Sequence, residues 1–413
     1  MTTIDIGSTG FMLLSASLVM LMTPALAFFY GGLATKRNIL GIMIQSFASL
    51  GWTTVLWFLF GYSLCFSGDG GFLGNLDKAC LHGVSINSVY SGNGKIPEIV
   101  FIAYQMMFAI ITPALITGAF VNRVTFKAYA IFLTLWQVLV YYPFVHMIWG
   151  GGFLAQWGVL DFAGGIVVHA TAGFAALASV FYVGARVNKN STPNSIPLVA
   201  IGSGMLWFGW YGFNAGSELQ VDNITALAFL NTDVAASFAT AAWVAVEWIH
   251  HGRPKLLGLL TGSIAGLAAI TPCAGFVPLW SAPIIGTAAA VLCYFAVELK
   301  NKMKWDDALD VWGVHGVGGV FGTIMLGVFA TKAINPAIAT EGLAFGPTSF
   351  FFKETVTVIG ASVYAFTFTY VMLALINRVV RVRVSPKEEE LGLDMAMHGE
   401  RAYDDAQVPA EVS

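Results

Sequence analysis

Charge is what this sequence has least of. Lys, Arg, Asp and Glu make up 10% of 413 residues, against 57% hydrophobic. A soluble chain so composed could not cover its apolar surface, so the composition excludes a soluble globular protein. Basic runs are also missing: the net charge is −3 and no basic tail suggests nucleic acid. Cysteine is sparse, with four residues and no CxxC pair that would suggest a metal site. Cys273 and Cys293 lie in or near apolar segments, while Cys65 and Cys80 flank a polar loop and stay open between a disulfide and two thiols. Positive charge is absent ahead of the first apolar run, since the first Lys or Arg is Lys36, after it. A signal peptide carries its charge in front. Despite the cleavage-like ALA at 25–27, the reading is an uncleaved first span with its N-terminus outside.

What is present is a succession of apolar runs of spanning length. They fall at 9–33, 39–65, 97–120, 128–149, 163–185, 196–215, 224–249, 256–274, 281–299, 308–331 and 351–377. The expected fold is an all-α polytopic membrane protein of eleven transmembrane helices. Basic residues mark alternate loops: Lys36/Arg37, Arg123/Lys127, Arg186/Lys189, Arg253/Lys255 and Lys300/Lys302/Lys304. Arg378, Arg381, Arg383, Lys387 and Arg401 follow the last span, and only Lys78, Lys95, Lys332 and Lys353 fall on the other side. The positive-inside rule then predicts N-out/C-in, as an odd span count requires.

The second half echoes the first. DFAGGIVVHATAG (161–173) aligns with DALDVWGVHGVGG (307–319), each with an Asp eight residues before a His and a Gly four after it. IITPALITGAF (110–120) resembles AITPCAGFV (269–277), and FYGG (29–32) weakly resembles WYGF (210–213). The matches pair spans 5 and 10, 3 and 8, and 1 and 6. A repeat of five spans is odd, so two inverted five-helix repeats are expected, about 9–185 and 196–331, plus a last span at about 351–377. Such repeats commonly place a substrate path at their interface.

His169 and His315 occupy equivalent repeat positions inside apolar helices, where ionisable groups are costly and usually mark a site. A lone histidine there would read as a packing residue; a repeated pair reads as a proton relay or the polar strip of a narrow pore. Two ligands without a Cys or carboxylate at liganding spacing make poor metal coordination. Trp149 ends span 4, Phe108 follows Tyr104 by one turn in span 3, and FGWYGFNAGS (208–217) ends span 6 with Trp210, Phe213 and Ser217. An interfacial aromatic belt accounts for most such residues. Ring faces beside a hydroxyl also suit a small cation. Asp161 reads as a helix cap or scaffold residue, with attraction of cations as the other reading. No nucleophile–base arrangement, nucleotide fingerprint or metal motif is evident, so neither an enzyme nor a cofactor is expected.

AFFYGGL, HMIWGGGFLAQWGVLDFAGGIVVH, GWYGFNAGS, ITPCAGFV and WGVHGVGG together resemble the signature segments of the ammonium transporter (Amt/MEP/Rh) family, nearest its prokaryotic Amt branch. The resemblance runs from about residue 8 to the end of the tail. It implies a homotrimer in the cell (inner) membrane with one pore through each subunit. It also implies an outer ammonium site at Trp149, Ser217 and Phe108, a gate of Phe108 and Phe213, twin pore histidines His169 and His315, and a structural Asp161. Ammonium resembles potassium in size and charge but can lose a proton. A narrow apolar path with two histidines should therefore pass ammonia and reject bare cations by their desolvation cost.

A sensor of the same fold with little or no transport is the alternative, although residues 379–413 leave too little chain for an added enzymatic domain. That segment is expected to be a cytosolic regulatory tail following a transmembrane domain at 1–378. Its charge, including Glu388, Glu389, Glu390, Asp404 and Asp405, would suit a solvated disordered tail. Leu391, Leu393, Met395, Met397 and Tyr403 give it apolar groups with which to dock on the loops around Arg123, Arg186 and Arg253. The resemblance implies control there by a PII-type signal protein.

Overall fold

Polar residues stand where the apolar runs must start. In the computed structural model, which describes residues 4–187 and 192–403, Asp5 accepts from the Ser8 amide at 2.6 Å and opens α1 (Ile6–Leu33). Asp222 forms a capping box with Thr225 at the start of α7 (Asn223–His251). Each cap satisfies amides that a helix end leaves bare. Lys189, Asp404 and Asp405 lie outside the described residues.

The other helices long and apolar enough to cross a membrane are α2 (Ile39–Phe66), α3 (Glu98–Phe120), α4 (Phe126–Trp157), α5 (Gly165–Val183), α6 (Ile196–Glu218), α9 (Leu279–Lys302), α10 (Trp312–Phe329) and α11 (Ser349–Ile376). With α1 and α7 they number ten among the described residues. A shorter apolar helix, α8 (Leu256–Ile270), fills the place of the expected span at 256–274. It ends at Ile270, two residues before Pro272, which has no amide to donate. The chain is thus an all-helical, multi-pass membrane protein.

Small residues let the helices approach closely, as packing in lipid requires. Gly202, Gly209 and Gly212 of α6 face α1, and a Cβ on Gly202 would meet the Phe29 amide nitrogen at 2.4 Å. The four cysteines are free thiols; Cys65 is buried and Cys80 exposed, so the polar loop between them is not closed by a disulfide.

The loops after α1, α3, α5 and α9 gather on one face with the tail. Arg123 is fully buried there; it donates to the Gly184 carbonyl at 2.7 Å and the Asp306 carbonyl at 2.9 Å, and also bonds the Ala119 carbonyl. Arg186 pairs with Asp306 at 2.6 Å. Burial alone would raise the Asp306 carboxyl, but hydrogen bonds from Arg186 and the charges of Arg123 and Arg186 hold it down at about 2.

The tail docks on this platform. Val384 donates to the Arg123 carbonyl and Thr125 to the Val382 carbonyl, both at 2.9 Å. Arg383 donates to Val183 and Ala185 at 2.7 Å each. A short helix, α12 (Pro386–Leu391), brings Glu389 to accept from the Val187 amide at 2.7 Å. Asn38 makes no side-chain cap for α2; it accepts instead from Leu393 at 2.9 Å, and Asp394 of the tail accepts from Gly41 at 2.7 Å. The tail therefore supplies the cap that α2 lacks. Gly392, at φ +94°, permits this approach, since a Cβ there would strike the Arg37 carbonyl at 2.5 Å. The tail's contacts thus fall on the loops holding Arg37, Arg123 and Arg186. Lys255, in the expected Arg253 loop, borders a cavity instead.

Candidate functional site

The candidate site is built on two carboxylates that start two helices. Both oxygens of Asp161 are occupied at the start of α5: Oδ1 accepts from Gly164 and Gly165 at 2.8 and 2.7 Å, Oδ2 from Ile166 and Val167 at 2.8 and 3.1 Å. Asp307 is its counterpart, accepting from the Trp312 amide at 2.8 Å where α10 begins. Burial pushes the Asp307 carboxyl up to about 6, against the opposing charge of Lys300. The Asp found eight residues before each His is therefore a cap that fixes where the histidine helix starts.

Each histidine sits in a π-helical turn, His169 in Gly165–Ala170 and His315 in Trp312–Gly316. Such wide turns are uncommon and concentrate at functional positions. The Gly four residues after each His meets the opposite helix. A Cβ on Gly173 would lie 2.2 Å from the Gly316 Cα, and one on Gly319 would lie 2.7 Å from the His169 Cβ. Only glycine permits this crossing, and the crossing brings the imidazoles together. Their Nδ1 atoms are 3.2 Å apart, with the rings 15° from parallel.

An Nδ1–Nδ1 hydrogen bond needs one donor and one acceptor, so with both rings neutral they are opposite tautomers. One then offers a bare Nε2 and the other an Nε2–H. His169 Nε2 is buried and has no hydrogen-bond partner among the described residues. Trp210 stacks on His169 at 5.5 Å and is itself held by an indole bond to Thr271 Oγ1 at 2.9 Å.

Both histidines line a chamber of 20 Å³ whose other walls include Leu26, Ile111, Leu115 and Leu206. That volume holds about one water-sized molecule. Phe108 and Phe213 lie against each other at 4.2 Å, with Phe213 lining the chamber and Phe108 lining the cavity beyond. This distal cavity, 320 Å³, collects Trp149, Asp161, Ser217, Glu218 and Gln105. Trp149 stands 5.9 Å from Phe108, edge to face, and its indole donates to the Asp161 carbonyl at 2.8 Å. Ser217 donates its proton to the Phe213 carbonyl at 2.9 Å and lies 3.2 Å from the Tyr104 hydroxyl. Its remaining lone pair is left as an acceptor. On the tail side, a cavity of 270 Å³ runs from His315 and Tyr30 to Glu247, Lys255 and Asp310.

Trp149, Phe108, Ser217, Phe213, His169 and His315 thus fall along one line, with Asp161 behind it as a scaffold. Sequence reasoning did not assign the ring stack of Trp210, the spacer role of Gly173 and Gly319, or the place of Glu218. The spacing of Trp210 and Phe213, three residues apart on one helix, was a usable signal for a shared face. Among the described residues no group of three or more His, Cys, Asp or Glu is placed to hold a metal.

An all-helical membrane protein with a one-molecule apolar chamber between two wider cavities defines a class: a carrier or channel for a small solute. The chain belongs to the ammonium transporter family, whose family model matches residues 10–403. It is 43% identical to the ammonium transporter of Bacillus subtilis (strain 168), covering 97% of this chain and all of that one. It is 41% identical to ammonium transporter Amt1 of Archaeoglobus fulgidus, covering 96% of this chain and 99% of the relative. The crystal structure of Candida albicans Mep2 superposes with a TM-score of 0.87 at 36% identity, over 97% of this chain and 91% of Mep2. A solved sensor Amt protein superposes at 0.86 with 27% identity, over 95% of this chain and 98% of that one.

Proposed function

We propose that the chain transports ammonium by recruiting the cation in the distal cavity and passing ammonia through the histidine chamber. The observation that carries this reading is the unpartnered His169 Nε2 in an apolar chamber sized for one small molecule. The tautomer pair presents one acceptor and one donor. Ammonia can donate to the bare Nε2 and accept from the Nε2–H, whereas potassium can make neither hydrogen bond and would meet the Nε2 lone pair only as a bare cation in an apolar space. Removing an ion from water without full compensation costs several kcal/mol.

At the mouth, the Trp149 and Phe108 rings attract a cation and Ser217 offers a lone pair. Deprotonation there lets the neutral molecule pass the Phe108–Phe213 pair. The histidine bond is a route by which the proton can follow separately. In the membrane, the Trp149 end faces out and the tail faces the cytosol, in keeping with the basic loops on the tail face. The chain works as a homotrimer in the inner membrane, and its docked tail is the surface that a PII-type protein engages.

The test is ammonium-dependent current from reconstituted protein, with potassium as the control ion. Current with ammonium and none with potassium is expected. Ammonium binding without flux would turn the reading to a receptor of the same fold.

A further inference from the structure

Ring faces and a hydroxyl select a cation but carry no net charge, so the distal cavity needs another feature to concentrate one. Two carboxylates line it, Asp161 and Glu218. Asp161 spends both oxygens on four backbone amides and is buried. Glu218 is different. It follows Ser217 directly, is only partly buried, and forms no salt bridge among the described residues.

Its neighbours leave one of its oxygens unbonded. Oε1 accepts from the Gln220 amide at 3.1 Å, and that amide also donates to Asp222 at 2.7 Å. Lys95, the nearby cation, donates to the side-chain oxygen Oε1 of Gln220 at 2.5 Å rather than to either carboxylate. Asp222 is committed to the start of α7 through the Ile224 and Thr225 amides. Glu218 and Asp222 thus share one nearby lysine that bonds neither of them, and Oε2 of Glu218 makes no hydrogen bond among the described residues.

We propose that Glu218 is a further recognition residue of this cavity, supplying the charge that concentrates ammonium beside Trp149, Phe108 and Ser217. This inference rests on the transport reading for its location but not for its test. A cleft lined by one sign of charge, with low-dielectric walls, raises the local concentration of the opposite ion, and salt screens the effect. Selectivity stays with the rings and the histidines; Glu218 sets how little ammonium suffices.

The experiment compares wild type, Glu218→Gln and Glu218→Asp in proteoliposomes at low and high ionic strength. Glu218→Gln keeps the acceptor for Gln220 and removes only the charge. We expect its KM for ammonium to rise about three- to tenfold at low salt, with the gap closing at high salt and Glu218→Asp recovering most of the loss. The change should lie in KM rather than in maximal current. Equal KM for Glu218→Gln and wild type at low salt overturns the proposal, as does a rise that ignores salt. Calorimetric titration of the detergent-solubilised protein with ammonium chloride reads the same charge effect without flux. A wild type that binds but does not conduct would therefore sink the transport reading while the titration still decides Glu218.

Discussion

Gly173→Ala adds one methyl group where the two histidine helices cross. The new Cβ would sit 2.2 Å from the Gly316 Cα, where ordinary contact begins at 3.4 Å. Both partners are backbone, so no side chain can swing away and the helices must part by at least roughly 1.2 Å. Carried to the imidazoles, that shift opens the 3.2 Å Nδ1–Nδ1 contact to more than about 4 Å, beyond hydrogen-bond range. Overpacking of this kind costs about 1–3 kcal/mol, which a protein of this size can survive as a folded molecule. Losing the shared histidine bond should cut selective ammonium current by about tenfold or more, the equivalent of roughly 1.4 kcal/mol. Gly319→Ala, with its Cβ 2.7 Å from the His169 Cβ, should act in the same direction. Gly204→Ala on α6, which has nothing within 4 Å, is the control and should conduct like wild type. The assay is current on supported membranes, with potassium as counter-ion, alongside thermal melting in detergent. Wild-type current and potassium exclusion in Gly173→Ala would refute the view that this crossing sets the histidine geometry.

Four further outcomes follow from the same contacts. Replacing His169 and His315 together with apolar residues should abolish selective electrogenic transport, because they are the only histidines lining the chamber among the described residues; a double variant that conducts ammonium and excludes potassium ends the relay idea. Trp149→Leu should weaken saturation at low ammonium by roughly 0.5–2 kcal/mol through loss of the ring face, and an unchanged concentration dependence would return Trp149 to a belt role. Deleting from Leu391 onward removes the Asp394 contact that caps α2, and should reduce or deregulate transport; equal flux together with unchanged PII-protein binding would show the tail to be dispensable. Asp306→Asn should destabilise by about 3–5 kcal/mol by stranding buried Arg123, read as a lowered melting temperature. The Asp306 carboxyl lies below its ordinary 3.8 at about 2, so its stabilisation is full above pH 3.8 and is lost as pH falls through about 2. The melting gap between wild type and Asp306→Asn should therefore be constant at neutral pH and close only between those values.

The apolar runs, the Asp161 cap and the repeated Asp–His–Gly spacing were legible because each reports a constraint local to one helix. Length and hydropathy mark what can cross a bilayer, and an acid before a helix marks where bare amides need a partner. The short end of α8 was less visible, because proline does not always stop a helix: α3 runs on past Pro113 while α8 stops before Pro272. Contacts between distant segments left weaker traces. The tail gave apolar residues with which to dock, but that Asp394 would cap a helix beginning at Ile39 depends on two surfaces meeting, and no periodicity encodes it. Trp210 was read as one of the aromatics near a polar opening, whereas its indole bond to Thr271 turns the ring onto His169. The glycine spacing carried both kinds of information. It showed that the two histidine helices are built alike, while the reason for the glycine lies on the other helix in each case. Such reciprocity is what a repeat packed against its own copy produces: each half supplies the gap that the other half's histidine turn fills, so a change in either glycine is felt at both imidazoles.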